Sequence, residues 1–95
     1  MQFLVTAYDG KDPGAPARRQ AAREAHLAGG RQMRDEGKML FGAALLDEAG
    51  AMIGSAMLVE FVERAELDAW LARDAYTKGG VWQEVAVVPC RVSLK

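Results

Sequence analysis

The chain has 95 residues, of which 51% are apolar and 26% are charged, and its formal net charge is −1. This is the composition of one small globular domain over residues 1–95, and the near-neutral charge excludes a general attraction to nucleic acid or anionic membranes. No apolar run reaches the ~20 residues that span a bilayer, and the first residues do not form a signal peptide. Because the one cysteine, Cys90, allows no internal disulfide, we expect a cytoplasmic protein.

The first half of the chain predicts a strand, a loop and a long helix. Residues 2–8 are rich in β-branched and aromatic side chains and stop at a turn pair, as a strand does. Residues 11–16 hold two prolines and form a loop, and Pro16 suits the first turn of the next helix. Residues 17–36 are dominated by good helix formers.

Two adjacent glycines, Gly29 and Gly30, interrupt the pattern of this helix. Each glycine in a helix interior costs about 1 kcal/mol relative to alanine. A pair of them in mid-helix therefore predicts either close packing against another backbone or open space for a ligand.

The second half of the chain predicts a hairpin, a shorter helix and a last strand. Residues 38–47 and 51–61 are strands joined by a tight turn. Residues 63–73 have apolar side chains at helical spacing, and residues 81–94 form the last strand. The order β-α-β-β-α-β is that of a ferredoxin-like α+β fold, with a four-stranded antiparallel sheet and both helices on one face.

Both faces of the predicted sheet are apolar. In the second hairpin strand Met57 and Val59 point one way, whereas Met52 and Leu58 point the other. Two helices cover only one face, and the other would expose more apolar area than the few hundred Å² that monomers tolerate. We expect a second copy to cover it in a two-fold homodimer, with higher oligomers left open. The alternative is that these side chains stay exposed singly at sheet edges.

The single histidine, His26, lies at the edge of the apolar stripe of the first helix. Arg19 and Arg23 flank it on one side, and Ala22 and Met33 lie on the other. An imidazole has an unperturbed pKa of ~6.5, so it exchanges a proton near neutral pH. The sequence has no metal cluster, phosphate loop or nucleophile motif, so we expect any reactive centre here, without cofactor or metal.

Several short segments, in order along nearly the whole chain, carry a family resemblance. They are residues 23–27, with the pattern R-x-x-H-L, Gly42, residues 46–50, 53–55, 74–76 and 78–79. These segments resemble the YCII-related (YciI-like) family of the dimeric α/β-barrel superfamily, which includes a chlorinated-hydroxyhydroquinone dehydrochlorinase. The resemblance implies a His–Asp pair in a pocket, carried here by His26 and Asp74. Ala43 and Ala75 stand where the family usually has proline, so the backbone beside Asp74 is less fixed.

The residues themselves support the same pair. Asp74 follows the second helix, and because both helices lie side by side on the sheet, its carboxylate can meet the His26 ring. A carboxylate that fixes one ring nitrogen leaves the other free for a substrate. We expect Tyr76 to wall the pocket or donate a hydrogen bond, Ser55 to supply a hydroxyl, and Arg23 to attract an anionic group. The alternatives are structural: a satisfied core histidine, a turn-capping aspartate and an arginine paired with a neighbouring carboxylate.

These parts predict proton abstraction or elimination on a small polar compound, aromatic or enolic. The protein would then be a cofactor-independent lyase, dehydrochlorinase or isomerase. Two other classes remain open: a small-molecule-binding or sensory module without turnover, and a dimeric accessory or interaction domain. Loss of activity in His26→Ala with the fold retained would favour the enzyme, and a dimer without a cavity beside His26 would favour the interaction domain.

Overall fold

The computed structural model describes residues 1–95 and contains four strands and three helices. In chain order they are β1 (Gln2–Asp9), α1 (Ala15–Asp35), β2 (Met39–Leu46), β3 (Met52–Glu60), α2 (Arg64–Arg73), α3 (Ala75–Lys78) and β4 (Trp82–Cys90). One sheet has the order β2-β3-β1-β4, and every neighbouring pair is antiparallel. The predicted ferredoxin-like α+β fold is confirmed. None of the helices combines the length and the apolar character needed to cross a membrane.

The elements differ from the sequence-based prediction by more than one residue in three places. α1 begins at Ala15 rather than at residue 17, because Pro16 fits within the first turn of the helix. β4 ends at Cys90 rather than at residue 94, and the backbone N–H of Val92 instead donates to the side chain of Gln2 at 2.7 Å. The short helix α3 was not predicted, and it separates α2 from β4.

The core lies between the sheet and the helices. Alternate side chains of the two central strands point into it, namely Phe3, Val5, Ala7, Met57 and Val59. α1 contributes Met33, and α2 contributes Leu67 and Trp70. Because both longer helices share this core, they lie on one face of the sheet. The edge strand β2 contains no buried residue, which leaves room between it and α1.

The opposite face of the sheet, called the open face below, is uncovered, and its middle is uncharged. One row of side chains crosses the four strands through Phe41, Leu58, Leu4 and Val88. The adjacent row consists of Ala43, Ala56, Thr6 and Ala86. Neither row holds a charged residue, and Phe41 and Val88 are 49% and 54% exposed.

Candidate functional site

One face of α1 carries most of the charged side chains that surround the site. Arg19, Arg23, His26, Gly30 and Arg34 follow one another at intervals of three or four residues, so they share that face. A Cβ atom added at Gly29 or Gly30 would have no neighbouring atom within 4 Å. The glycine pair therefore provides open space, and the alternative of close backbone packing is wrong.

A cavity of about 310 Å³ lies between this face of α1 and the edge strand β2. Residues 39–44 of β2 form the opposite wall, and Ser55 and Met57 of β3 contribute from beneath. Tyr76 of α3 also lines the cavity, so residues far apart in the chain meet there. Gly30 and Gly42 lie on facing walls, and the absence of side chains at these positions keeps the cavity open.

The imidazole of His26 is held by the carboxylate of Asp74. The two atoms involved, His26 Nδ1 and Asp74 Oδ2, are 2.8 Å apart. Because an ionised carboxylate only accepts hydrogen bonds, the proton lies on Nδ1, and Nε2 carries the lone pair in the neutral ring. Asp74 is only 8% exposed and lies outside the cavity lining, behind the histidine.

Asp74 also caps the short helix α3. Its Oδ2 atom accepts a hydrogen bond from the backbone N–H of Tyr76 at 2.9 Å, and its own backbone is extended. This is the arrangement of an N-cap aspartate. The turn-capping role and the contact with His26 are therefore not alternatives, since the same oxygen serves both. Ala75 occupies the first position of α3, where proline would also fit.

Aromatic rings fix the plane of the imidazole. The Tyr76 ring stacks on His26 with 3.9 Å between centroids and an interplanar angle of 10°. Trp82 meets the His26 ring edge-on at 5.5 Å and 83°. With Asp74 holding Nδ1 and two rings packed against it, His26 has little freedom to rotate. No protein group hydrogen-bonds its Nε2 atom, and the residue lines the cavity.

A buried ion pair lies under the cavity. The Arg19 Nη1 atom donates to both carboxylate oxygens of Asp9 at 3.0 Å, and both residues are at least nine-tenths buried. Arg19 Nη2 and Trp82 Nε1 each donate to Ser55 Oγ at 3.2 Å. The guanidinium also lies over the Tyr76 ring, 4.8 Å from its centroid. A buried charge needs such compensation, because desolvation otherwise costs several kcal/mol.

The rim of the cavity is cationic. Arg23, Arg31 and Arg34 line it, Arg19 lies beneath, and the cavity lining includes no aspartate, glutamate or lysine. Arg31 and Arg34 make only exposed ion pairs, at 3.3 and 3.4 Å. Arg23, one turn before His26, has no ion pair or hydrogen bond with the protein. A free guanidinium next to an imidazole is suited to binding an anion.

Burial raises the pKa of the Tyr76 phenol above its ordinary value, although the positive charges of Arg19 and Arg23 act in the opposite direction. The phenol is therefore uncharged at neutral pH. Tyr76 remains a neutral wall of the cavity and a possible hydrogen-bond donor rather than an anion.

The five residues selected from the sequence come together in the structure. His26, Arg23, Ser55 and Tyr76 line the cavity, and Asp74 contacts His26 from behind. The sequence did not indicate Asp9 or Trp82 as site residues, and it indicated Arg19 only as a neighbour of His26. Asp9 sits where a strand ends in a turn, and nothing local indicates its partner. The arginine spacing along the first helix was the one available signal for the cationic rim.

Comparison with known proteins identifies the family of this chain. The YCII-related domain matches residues 1–91. The chain belongs to this family. Among curated proteins, none matches the sequence. No group of three or more His, Cys, Asp or Glu side chains lies close enough together to hold a metal ion.

A solved structure of similar fold is the 5-chloro-2-hydroxyhydroquinone dehydrochlorinase from Burkholderia phenoliruptrix, in complex with 2,5-dihydroxybenzoquinone. It is 25% identical to this YCII-related protein, with a TM-score of 0.83, and the match covers 96% of this chain and 94% of that one. A dimeric ferredoxin-like protein from Jannaschia sp. matches at 13% identity and a TM-score of 0.58, over 96% and 98% of the two chains. An antibiotic biosynthesis monooxygenase matches at 17% and 0.53, over 98% of each chain. The last two likenesses concern the fold alone.

Proposed function

We propose that this YCII-related protein is a cofactor-independent, cytoplasmic lyase of the dehydrochlorinase type, or an isomerase, that acts on a small anionic oxygenated ring. The observation that carries the proposal is the His26–Asp74 pair at 2.8 Å, with the free ring nitrogen of His26 beside a cationic cavity. His26 is the general base, and Asp74 positions it.

The proton chemistry follows from the two ring nitrogens. Asp74 holds the proton on Nδ1, so the lone pair of Nε2 is available to accept a proton from a ligand. The imidazolium that forms is then adjacent to the Asp74 carboxylate, which stabilises its charge. In an elimination from the keto tautomer of such a ring, whose chlorinated carbon carries a hydrogen, Nε2 takes a hydroxyl proton and the O–H pair forms a C=O bond. The neighbouring C=C pair shifts to the chlorinated carbon, and chloride leaves with the pair of the C–Cl bond. A positioned base of this kind contributes roughly 10²–10⁴-fold to a rate.

The size and charge of the cavity define the substrate class. Its volume of about 310 Å³ is near the lower limit of ligand cavities, which span roughly 300–1,000 Å³. The unpaired Arg23 guanidinium beside His26 favours a carboxylate or an ionised phenol or enol. The Tyr76 ring, 1% exposed and stacked on His26, adds a neutral part of the lining. A small ring with acidic hydroxyl groups meets all three conditions.

The structural relative supports this choice of substrate class. Its bound 2,5-dihydroxybenzoquinone is a small oxygenated ring, and its activity is the removal of hydrogen chloride from a chlorinated hydroxyhydroquinone. We carry that reaction type to this chain as a proposal, because the two folds superpose over nearly their full lengths.

We further propose that the partner of the open face is a second copy of this chain. Two adjacent rows of side chains across all four strands are uncharged, and their exposed members include Phe41 and Val88. Glu60 and Glu84 lie on this face beyond the two rows, so the middle of the face buries no charge when it packs against a second copy across a two-fold axis.

The enzyme proposal is tested by chloride release from 5-chloro-2-hydroxyhydroquinone. We expect wild type and Gln20→Ala, a variant on the exposed side of the same helix, to release chloride at equal rates. His26→Ala should lower the rate by at least about a hundredfold while the protein stays folded at the assay temperature. Equal rates for wild type and His26→Ala would contradict the proposal. Binding of the ring without chloride release would favour the small-molecule-binding module instead.

A further inference from the structure

The hydroxyl group of Ser55 is buried and has an unusual set of hydrogen bonds. Ser55 is 3% exposed, and its Oγ atom accepts two hydrogen bonds, one from Arg19 Nη2 and one from Trp82 Nε1, each at 3.2 Å. The hydroxyl donates to no protein acceptor in the structure. Because buried donors are normally paired in folded proteins, this hydrogen is available to a group that enters the cavity.

The two incoming N–H groups fix the direction of the Ser55 proton. A hydroxyl oxygen has two lone pairs and one hydrogen, and here both lone pairs are occupied. The hydrogen must therefore point away from Arg19 and Trp82. Ser55 lines the same cavity as His26, which is the open side left to it. We propose that the Ser55 O–H is a fixed hydrogen-bond donor to the ligand oxygen that gains negative charge during the reaction.

The surroundings of Ser55 suit a developing anion. The positive guanidinium of Arg19 donates to the same oxygen atom and polarises the O–H bond towards the cavity. Asp9 holds that guanidinium through both carboxylate oxygens, so the donor is in place before a ligand arrives. Preoriented donors of this kind stabilise an oxyanion because they need no reorganisation when charge appears.

This inference rests on the proposed function and specifies its substrate class. The substrate must carry an acidic C–H group next to a carbonyl group, as in an enolisable ketone or the keto tautomer of a hydroxyhydroquinone. When His26 Nε2 takes the proton, the C–H bond breaks and its electron pair forms a C=C bond. The π pair of the C=O bond moves onto the oxygen that accepts the Ser55 hydrogen bond. Ser55 and His26 then act on opposite ends of one conjugated unit.

The test is the affinity for 2,5-dihydroxybenzoquinone, measured by isothermal titration calorimetry at pH 7. Ser55→Ala removes a hydrogen bond to an anionic ligand and should weaken binding about 10- to 100-fold. Trp82→Phe removes one of the two donors to Ser55 but leaves its hydroxyl, so its loss of affinity should be clearly smaller. Where Ser55→Ala does not fold, Ser55→Cys, of similar size but a weak donor, is used and should show the same loss.

Three results would overturn the inference. They are failure of the wild type to bind the ring, Ser55 variants that bind within twofold of wild type, and a Trp82→Phe loss as large as that of Ser55→Ala. The last result would mean that the network is structural only. Failure of the proposed function is separate: Ser55-dependent binding without chloride release keeps the inference and contradicts the catalysis. Chloride release by a protein whose binding does not depend on Ser55 would contradict the inference and keep the proposed catalysis.

Discussion

His26 Nδ1 and Asp74 Oδ2 lie 2.8 Å apart, although 48 positions separate the two residues in the chain. The contact exists because Asp74 ends α2 and caps α3, which directs its carboxylate towards α1. One carboxylate oxygen receives both the imidazole and the backbone N–H of Tyr76. The cap therefore fixes the position of the histidine, and Tyr76, two residues later, stacks on its ring.

The negative charge of Asp74 can be removed without removing the hydrogen bonds that its side chain accepts. In Asp74→Asn the single amide oxygen can accept both hydrogen bonds that Oδ2 now accepts, but it cannot stabilise an imidazolium. We expect chloride release from 5-chloro-2-hydroxyhydroquinone to fall at least about a hundredfold with little change in melting temperature. Asp74→Ala should in addition lose about 1 kcal/mol of stability with the helix cap. An asparagine variant as active as wild type would rule out an electrostatic role.

The glycine pair in α1 offers matched substitutions. Neither Gly29→Ala nor Gly30→Ala brings a Cβ within 4 Å of another atom, so each should stabilise the helix by about 0.5–1 kcal/mol. Only Gly30 lines the cavity beside His26. Thermal unfolding should show both gains, whereas calorimetry with 2,5-dihydroxybenzoquinone should show weaker binding for Gly30→Ala alone. Equal affinities for the two variants would place the ligand elsewhere.

The buried phenol of Tyr76 makes stability depend on alkaline pH. Burial raises the pKa of Tyr76 in the folded chain, while the unfolded chain keeps a value near 10. The stability that the buried neutral phenol contributes is fully present below about pH 10. It is lost as the pH rises towards the pKa of Tyr76 in the folded chain, because the phenol of the unfolded chain ionises first. Urea unfolding at pH 8 and pH 10.5 measures how far the free energy of unfolding falls between these two pH values. The fall should be smaller in Tyr76→Phe than in wild type. The difference is limited to about 1.4 kcal/mol per pH unit, and equal losses would contradict the prediction.

The open face predicts a homodimer. Val88 lies in its central row and is 54% exposed, so Val88→Glu leaves the monomer core unchanged and places a charge in the proposed interface. Sedimentation equilibrium at micromolar concentration should give a dimer for wild type and a monomer for Val88→Glu. Gln20→Glu, which adds the same charge on α1, should remain dimeric. A monomeric wild type would contradict the proposed homodimer.

The sequence could reveal the parts of the site that repeat along one element. His26 and its arginine neighbours share a face because a helix has a period of 3.6 residues, and that period is visible in the sequence. The order of the predicted elements likewise indicated the fold, and apolar side chains on both faces of the strands indicated an uncovered face. Local patterns of this kind suffice where one element supplies the residues.

The remaining parts of the site depend on contacts between distant elements. α3 has four residues, too few to show any periodicity, yet it sets the position of both Asp74 and Tyr76. The buried pair of Asp9 and Arg19 joins the end of a strand to a helix face, and neither residue identifies its partner locally. The role of Trp82, whose indole N–H reaches Ser55, was hidden for the same reason.

The central claim is that His26 acts on a small oxygenated ring within the cavity between α1 and β2. A crystal structure with 2,5-dihydroxybenzoquinone tests it most directly. We expect the ring to lie in this cavity, with one of its oxygens about 2.6–3.2 Å from His26 Nε2. A ring bound elsewhere, or one in the cavity that leaves His26 Nε2 without a contact, would contradict it.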